Sequence, residues 1–307
     1  MTKDELSVIA ANLSALSGEA SSLFERRLAH LYGLARAFDG GVPSDALRSE
    51  YVEFTGMLAG SSQSPESGCF SRLASRADRI TLCSFICEIL SGRPAPPTVA
   101  ELLGYDEAEG EDEASNRISY VHNYYSDVAY GTFAQALENP TVMYSPDFTS
   151  VCEDVYYGRA KYCILPVESS ADGMLSRFRT LIGKYELNIA LSCDVQTQGD
   201  DSYTRFALLH KGIVSLPAAD GERVFAFSAT FDDGGASLGD VLDAADANGL
   251  KLRHISSLPA SYSGRSGMYD LAFDFTGKGL TEFIVFLSLE VPQFEALGVY
   301  THFSAKE

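Results

Sequence analysis

From Arg117 to Phe303 the chain alternates short apolar runs of strand length with stretches of helical period, and this alternation restricts the fold more than any other feature. Strands that alternate with helices of ten or more residues build βαβ units. Residues 117–121, 141–144 and 162–165 read as strands, with helices at 126–137 and at 150–157, the second closed by Gly158. A helix over 174–182 leads to an alternating strand at 187–195, with Asn188, Ala190 and Ser192 on one side, and then to a strand at 203–209 that opens on polar residues. The last third reads as strand 223–231, helix 237–247, strands 250–255 and 268–275, helix 280–287 and strand 294–303. That βαββαβ order is the ferredoxin-like one.

The apolar run 162–165 ends at Pro166 and passes at once into Glu168-Ser169-Ser170 and Gly173. In open α/β sheets, ligands lie beyond the carboxyl ends of buried parallel strands. Glu168, Ser169 and Ser170 are therefore candidate ligand-facing groups. Equally, Ser169 or Ser170 could cap the helix that follows. The pattern leaves both readings open.

The 307 residues allow two or three domains, and 46% hydrophobic residues suffice for packed cores. A net charge of -19 argues against nucleic acid or an anionic membrane as partner, since both need a basic footprint. No apolar run is long enough to span a bilayer, and residues 1–19 lack the features of a signal peptide, so a cytoplasmic protein is expected. The six cysteines form no CxxC pair and read as reduced core residues, and the five histidines show no metal-ligand spacing. No metal or other cofactor is expected.

Before residue 91 the period is helical throughout. Residues 4–38 read as one long helix stopped by Asp39-Gly40-Gly41-Val42-Pro43, residues 44–58 as a second and residues 70–90 as a third. Such helices bury their stripes in a bundle or against a partner subunit. Arg26, Arg27, Arg36, Arg48, Arg72, Arg76 and Arg79 are numerous for so acidic a chain. They are either a solvated surface or an anion site. The placement of Arg27, of Asp45-x-x-Arg48 and of Ser84 with Glu88 resembles the helical chorismate mutase domain. That resemblance implies an anion site of Arg27, Arg36, Asp45, Arg48 and Glu88, with Arg36 in place of a lysine, Ser49 in place of a glutamate and Glu88 in place of a glutamine. Residues 93–116, rich in proline and then in acid (Asp106, Glu107, Glu109, Glu111, Asp112, Glu113), read as a linker.

The order of elements after it, joined to Pro166-Val167-Glu168-Ser169-Ser170-x-x-Gly173 and to Thr204-Arg205-Phe206, resembles prephenate dehydratase. That family carries Pro-Ile-Glu-Asn-Ser-x-x-Gly and Asn-x-Thr-Arg-Phe, with the threonine essential. The C-terminal stretch is similar to the ACT domain of these enzymes, with Gly235, Ala236, Leu238, Ser256 and Ser257 at its effector motifs, although the Glu and Arg of the second motif are absent. The whole resembles the bifunctional mutase-dehydratase arrangement. It implies an α+β multidomain protein: a helical bundle (1–92), a linker (93–116), a shortened α/β lobe of the periplasmic-binding-protein type (117–215) and a ferredoxin-like ACT domain (222–307). It also implies a homodimer whose ligand is prephenate or an aromatic amino acid.

The activity implied is conversion of prephenate to phenylpyruvate, with Thr204, Glu168 and Ser170 catalytic and Ser126, Ser169, Arg205 and Phe206 binding substrate. Two departures bear on it. The family's glycine-rich anion turn is replaced by residues 120–126, which keep only Ser126. Thr204 follows Ser170 by 34 positions, and since one βαβ unit takes roughly 30 residues, the family's second lobe is missing. The resemblance thus implies an eroded dehydratase. A non-catalytic ACT-type ligand-binding dimer, or residual mutase activity in the helical domain, are the alternatives.

Overall fold

The computed structural model describes residues 76–94, 96–105, 116–196, 202–214, 216, 221–231, 236–258, 267–277, 279–291 and 294–304, together with helical residues scattered between 9 and 36. The chain divides into two compact units, Met1–Pro97 and Thr98–Glu307. In the first, helix α1 (Arg76–Ser91) buries Arg79, Leu82, Cys83, Ile86, Cys87 and Leu90. That three-four spacing is one helix face, and it carries an arginine into the stripe. The helix expected at 44–58 lies outside the described residues. No helix of the described residues is long and apolar enough to cross a membrane.

The second unit begins inside the stretch read as a linker. Thr98 and Glu101 form a reciprocal cap: the Thr98 hydroxyl accepts from the Glu101 N–H at 3.2 Å, and the Glu101 carboxylate accepts from the Thr98 N–H at 2.7 Å. They start the short helix α2 (Val99–Leu102), which buries Leu102. The S/T-x-x-E signature was present in the sequence, but the neighbouring prolines and acids dominate the composition of that stretch. Removing a cap of this type costs about 1 kcal/mol. Thr98→Ala should therefore lower the denaturant midpoint slightly, with no change in its slope.

Residues 117–303 build one ten-stranded sheet. Its first strands, β1 (Arg117–Tyr120), β2 (Thr141–Tyr144) and β3 (Tyr162–Ser169), are parallel. They are linked by α3 (Tyr124–Phe133) and α4 (Phe148–Tyr156). Then come β4 (Gly173–Met174), α5 (Ser176–Lys184), β5 (Leu187–Gln196) and β6 (Tyr203–Lys211). The tail is β7 (Glu222–Thr230), α6 (Leu238–Ala247), β8 (Lys251–Leu258), β9 (Met268–Asp274), α7 (Leu280–Glu290) and β10 (Phe294–Phe303). Helix α2 packs against α7.

The strand order is β2-β1-β3-β6-β5-β10-β7-β9-β8, with β4 beside β3. The expected α/β lobe and C-terminal domain are therefore not two separate sheets. The edge of β5 is taken by β10, in parallel, with Leu191, Ser192 and Cys193 opposite Thr301, His302 and Phe303. One face of the sheet carries α3 over Ile118, Tyr162, Ile164, Phe206 and Leu208. Helix α7 lies on the same side, where Phe225 and Phe227 meet Phe283. The opposite face packs α4 and α5 over Cys163, Leu165, Ala207 and Leu209. The described cysteines are buried thiols; Cys69 lies outside the described residues.

Candidate functional site

Strand order β2-β1-β3, with α3 on one face and α4 on the other, makes the carboxyl ends of β1 and β3 the switch point at which open α/β sheets hold ligands. At the end of β1, Asn123 caps α3. Its Oδ1 accepts from the Ser126 N–H at 3.0 Å and its Nδ2 donates to Ser126 Oγ at 2.9 Å. Ser126 is buried and engaged in that cap. Nearby, Tyr120 donates to Asp127 at 3.0 Å and His122 lies 3.2 Å from the other Asp127 oxygen. Burial, and then its Tyr144 and Asp127 neighbours, push the Tyr120 phenol up.

At the end of β3 the chain does not step into a helix. It makes a hairpin, with Glu168 opposite Met174 and Ser169 opposite Gly173. The helix read at 174–182 starts instead at Ser176, and its N-cap is Leu175 without a side-chain bond. Neither Ser169 nor Ser170 caps it. Ser169 Oγ accepts from the Ala171 N–H at 3.2 Å. Ser170 clips β3 to β6: its Oγ accepts from the Tyr203 N–H, and its own N–H donates to the Tyr203 carbonyl, both at 2.9 Å.

The registers then divide the two motifs between the two faces. Ser169 pairs with Thr204 and Pro166 with Phe206, on the α3 face, where Phe206 is buried in the core. A bulge between Pro166 and Glu168 reverses the alternation and turns Glu168 onto the α5 face, opposite Arg205. Thr204 and Glu168 thus stand on opposite faces of the sheet. The face assignment of β5 is altered in the same way. Its bulge between Ile189 and Leu191 separates Ser192 from Asn188 and Ala190, which the simple alternation had placed together.

Across the α5 face runs a chain of charges spanning four strands. Arg205 donates Nη1 to Glu168 Oε2 at 2.5 Å, Nε to Asp194 Oδ1 at 2.8 Å and Nη2 to Asp194 Oδ2 at 3.2 Å. Asp194 also faces His302 Nε2 at 3.3 Å, and His302 Nδ1 meets Ser192 Oγ at 2.9 Å. Burial pushes the Asp194 carboxyl up, but its bonds to His302 and Arg205 outweigh burial and hold it below the usual carboxylate range. Burial opposes the Arg205 charge; the two carboxylates more than restore it. Asp194 and His302 were not foreseen. The one available signal was a lone acid inside the apolar strand 187–195.

Beside this chain lies a cavity of about 100 Å³ beneath α5, with Val167, Met174, Ile182 and Leu297 among its apolar walls. Arg179 of α5 closes one side. It donates to Asp270 at 2.8 Å and to Ser228 at 2.6 Å, and Ser228 donates to Asp270. Arg253 is held by Asp274 at 2.6 Å and by Glu222.

No family model matches the chain, and no curated protein matches it. Prephenate dehydratases stand among the solved structures it is similar to. That of Streptococcus mutans is 18% identical with a TM-score of 0.48, over 62% of this chain and 100% of that one. That of Arthrobacter aurescens, solved in complex with L-Phe, is 14% identical with a TM-score of 0.47, over 60% and 90% of the two chains. GqqA, described as a novel type of quorum quenching acylase, is 22% identical with a TM-score of 0.44, over 61% and 95%.

The remaining sites read from the sequence are not drawn together by the described residues. Arg36 and Glu88 are exposed, and Ser84 Oγ donates to the Ile80 carbonyl of its own helix at 3.2 Å. Arg27, Asp45 and Arg48 lie outside the described residues, as does Gly235. Ala236 is buried, and Leu238 is the first residue of α6, which is capped by Ser237 with Asp240. Ser256 and Ser257 alternate on β8, opposite Asp270 and Tyr269, so they point to different faces. No group of three or more His, Cys, Asp or Glu among the described residues could hold a metal ion.

Proposed function

We propose that this chain is a small-molecule-binding protein of dehydratase-like architecture that does not dehydrate prephenate. The reading rests on Arg205. Three of its five N–H donors go to Asp194 and Glu168, with the Nε–Nη2 fork spent on Asp194, so its charge is already matched by two carboxylates of the protein itself. Dehydration with loss of carbon dioxide needs a positioned dianion and an acid at the departing hydroxyl. Here the threonine read as that acid faces away from Glu168, and Ser126 serves the α3 cap. What the geometry keeps is a cavity with apolar walls, the usual form of a binding site.

The test is direct. Purified protein incubated with prephenate beside a working dehydratase should form phenylpyruvate no faster than buffer does. Enzyme-dependent phenylpyruvate at a rate lost in Thr204→Ala would overturn the proposal and restore the catalytic reading of Thr204.

A further inference from the structure

The pairing of β5 with β10 begins only at Leu191 and Thr301. Before that point Leu187 and Asn188 of one strand and Glu295, Ala296 and Leu297 of the other line a slot of about 420 Å³. That volume falls within the roughly 300–1,000 Å³ of small-molecule sites. Tyr105 and His210 line the slot too. Arg179, Ile182 and Leu297 belong both to its walls and to those of the cavity beneath α5, which β10 reaches with Tyr300 and His302. The two spaces adjoin, but Asn188 and His210 belong to the slot alone.

Asn188 is only 3% exposed. Its Oδ1 accepts from the Tyr105 hydroxyl at 3.3 Å, while its Nδ2 has no partner among the described residues. A buried amide with an idle donor is costly unless something takes that donor. His210 stands directly opposite Asn188 on β6, which puts the two side chains on one face with Cβ atoms about 5 Å apart. The His210 Nδ1 lies 3.3 Å from the Gly212 carbonyl. A carbonyl only accepts, so Nδ1 carries the proton and the neutral ring keeps Nε2 as its acceptor. Burial, helped by the Lys161 charge and opposed by the Gly212 bond, holds His210 below its ordinary value, so the ring is neutral at neutral pH. Nε2 likewise has no partner among the described residues.

The charged groups of the lining are Arg179 and Lys211 against Glu186 and Glu295, so neither sign prevails. Arg179 is engaged by Asp270, and the Lys211 ammonium lies over the Tyr156 ring at 5.3 Å. What the slot offers a ligand is a neutral donor beside a neutral acceptor. A carboxamide carries the complement in one plane, a carbonyl for the donor and an N–H for the acceptor. A carboxylate would set an oxygen lone pair against Nε2, and an ammonium would set an N–H against Nδ2. We propose that this slot binds a neutral ligand by a carboxamide edge, its carbonyl accepting from Asn188 Nδ2 and its N–H donating to His210 Nε2. The assignment goes beyond the reading above, since it adds a separate site with its own ligand class.

Calorimetry on the full chain with benzamide, benzoate and N,N-dimethylbenzamide tests it. Benzamide should bind and raise the melting temperature. Benzoate and N,N-dimethylbenzamide both lack the N–H, so each should bind about tenfold more weakly, with His210 Nε2 left unpaired. Asn188→Leu, which keeps the side-chain volume, should weaken benzamide binding by about tenfold. His210→Phe, which keeps a ring against Tyr162, should do the same. Absence of benzamide binding at millimolar concentration, equal binding of either analogue, or parent-like affinity in either variant while folded by near-ultraviolet dichroism would each overturn the assignment. Should a variant fail to fold, the three-ligand comparison on the parent chain decides, since it needs no substitution. Phenylpyruvate formation enters none of these outcomes, so the slot and the non-catalytic reading fail separately.

Discussion

Replacing Arg205 by methionine is expected to cost about 3 kcal/mol of folding stability, at the lower end of the roughly 3–5 kcal/mol lost when one partner of a buried ion pair is removed. The lower end applies because Glu168 keeps 22% of its side chain exposed and can be rehydrated, whereas Asp194 keeps only 10%. Methionine preserves much of the stem packing, so the loss reports the charge. The pH dependence identifies its source. The folded Asp194 carboxyl lies below its ordinary value, so its contribution is complete above the unfolded value of about 4 and disappears as pH falls through the folded one. The parent and Arg205→Met unfolding curves should differ most at pH 7 and converge in acid. Arg205→Lys should fall between them, since an ammonium cannot make the fork to Asp194. If Arg205 were instead held ready for a substrate, its removal would leave stability near the parent value at every pH, and equilibrium unfolding in urea at pH 7 and pH 3 distinguishes the two.

The elements themselves were readable because each has a local signal. Thr141–Tyr144 and Phe294–Phe303 occupy the residues expected of them, and from Arg117 on most other boundaries move by no more than one position. The caps show why: Asp147 accepts from the Ser150 N–H at 2.9 Å and Ser237 from the Asp240 N–H at 3.2 Å, and such bonds depend on residues three apart. The site was less readable, because two bulges and one long-range pairing decide it. Counted in strict alternation from Ile164, Glu168 belongs on the face of Phe206 and Thr204; the bulge after Pro166 moves it to the face of Arg205. Counted from Asn188, Ser192 stays with Ala190; the bulge before Leu191 separates them. The pairing of Ser192 with His302 spans 110 positions, and nothing local to either strand announces it. The edge of β5 is taken by β10 across the same separation.

That seam predicts the other large effect. Gly298 sits at the β10 bulge, opposite the irregular part of β5. Its φ is +153°, and a Cβ there would stand 2.4 Å from the Ile189 carbonyl oxygen and 3.0 Å from the Ile189 nitrogen. The obstruction is backbone, which cannot swing aside as a side-chain tip can. Gly298→Ala should therefore cost about 3 kcal/mol or more, combining strain of about 1–3 kcal/mol with overpacking of similar size. Gly131 is the matching control: it lies in α3 with nothing within 4 Å of an added Cβ, and Gly131→Ala should stabilise by about 0.5–1 kcal/mol through helix propensity. Because β10 carries both Tyr300 and His302, parting the seam should do more than lower the melting temperature. Amide exchange should accelerate first at Leu191–Cys193 and Thr301–Phe303, while β1 and β3 stay protected. Uniform acceleration across the sheet would mean instead that the seam opens only with global unfolding, and that β5 and β10 belong to the same cooperative unit as the parallel strands.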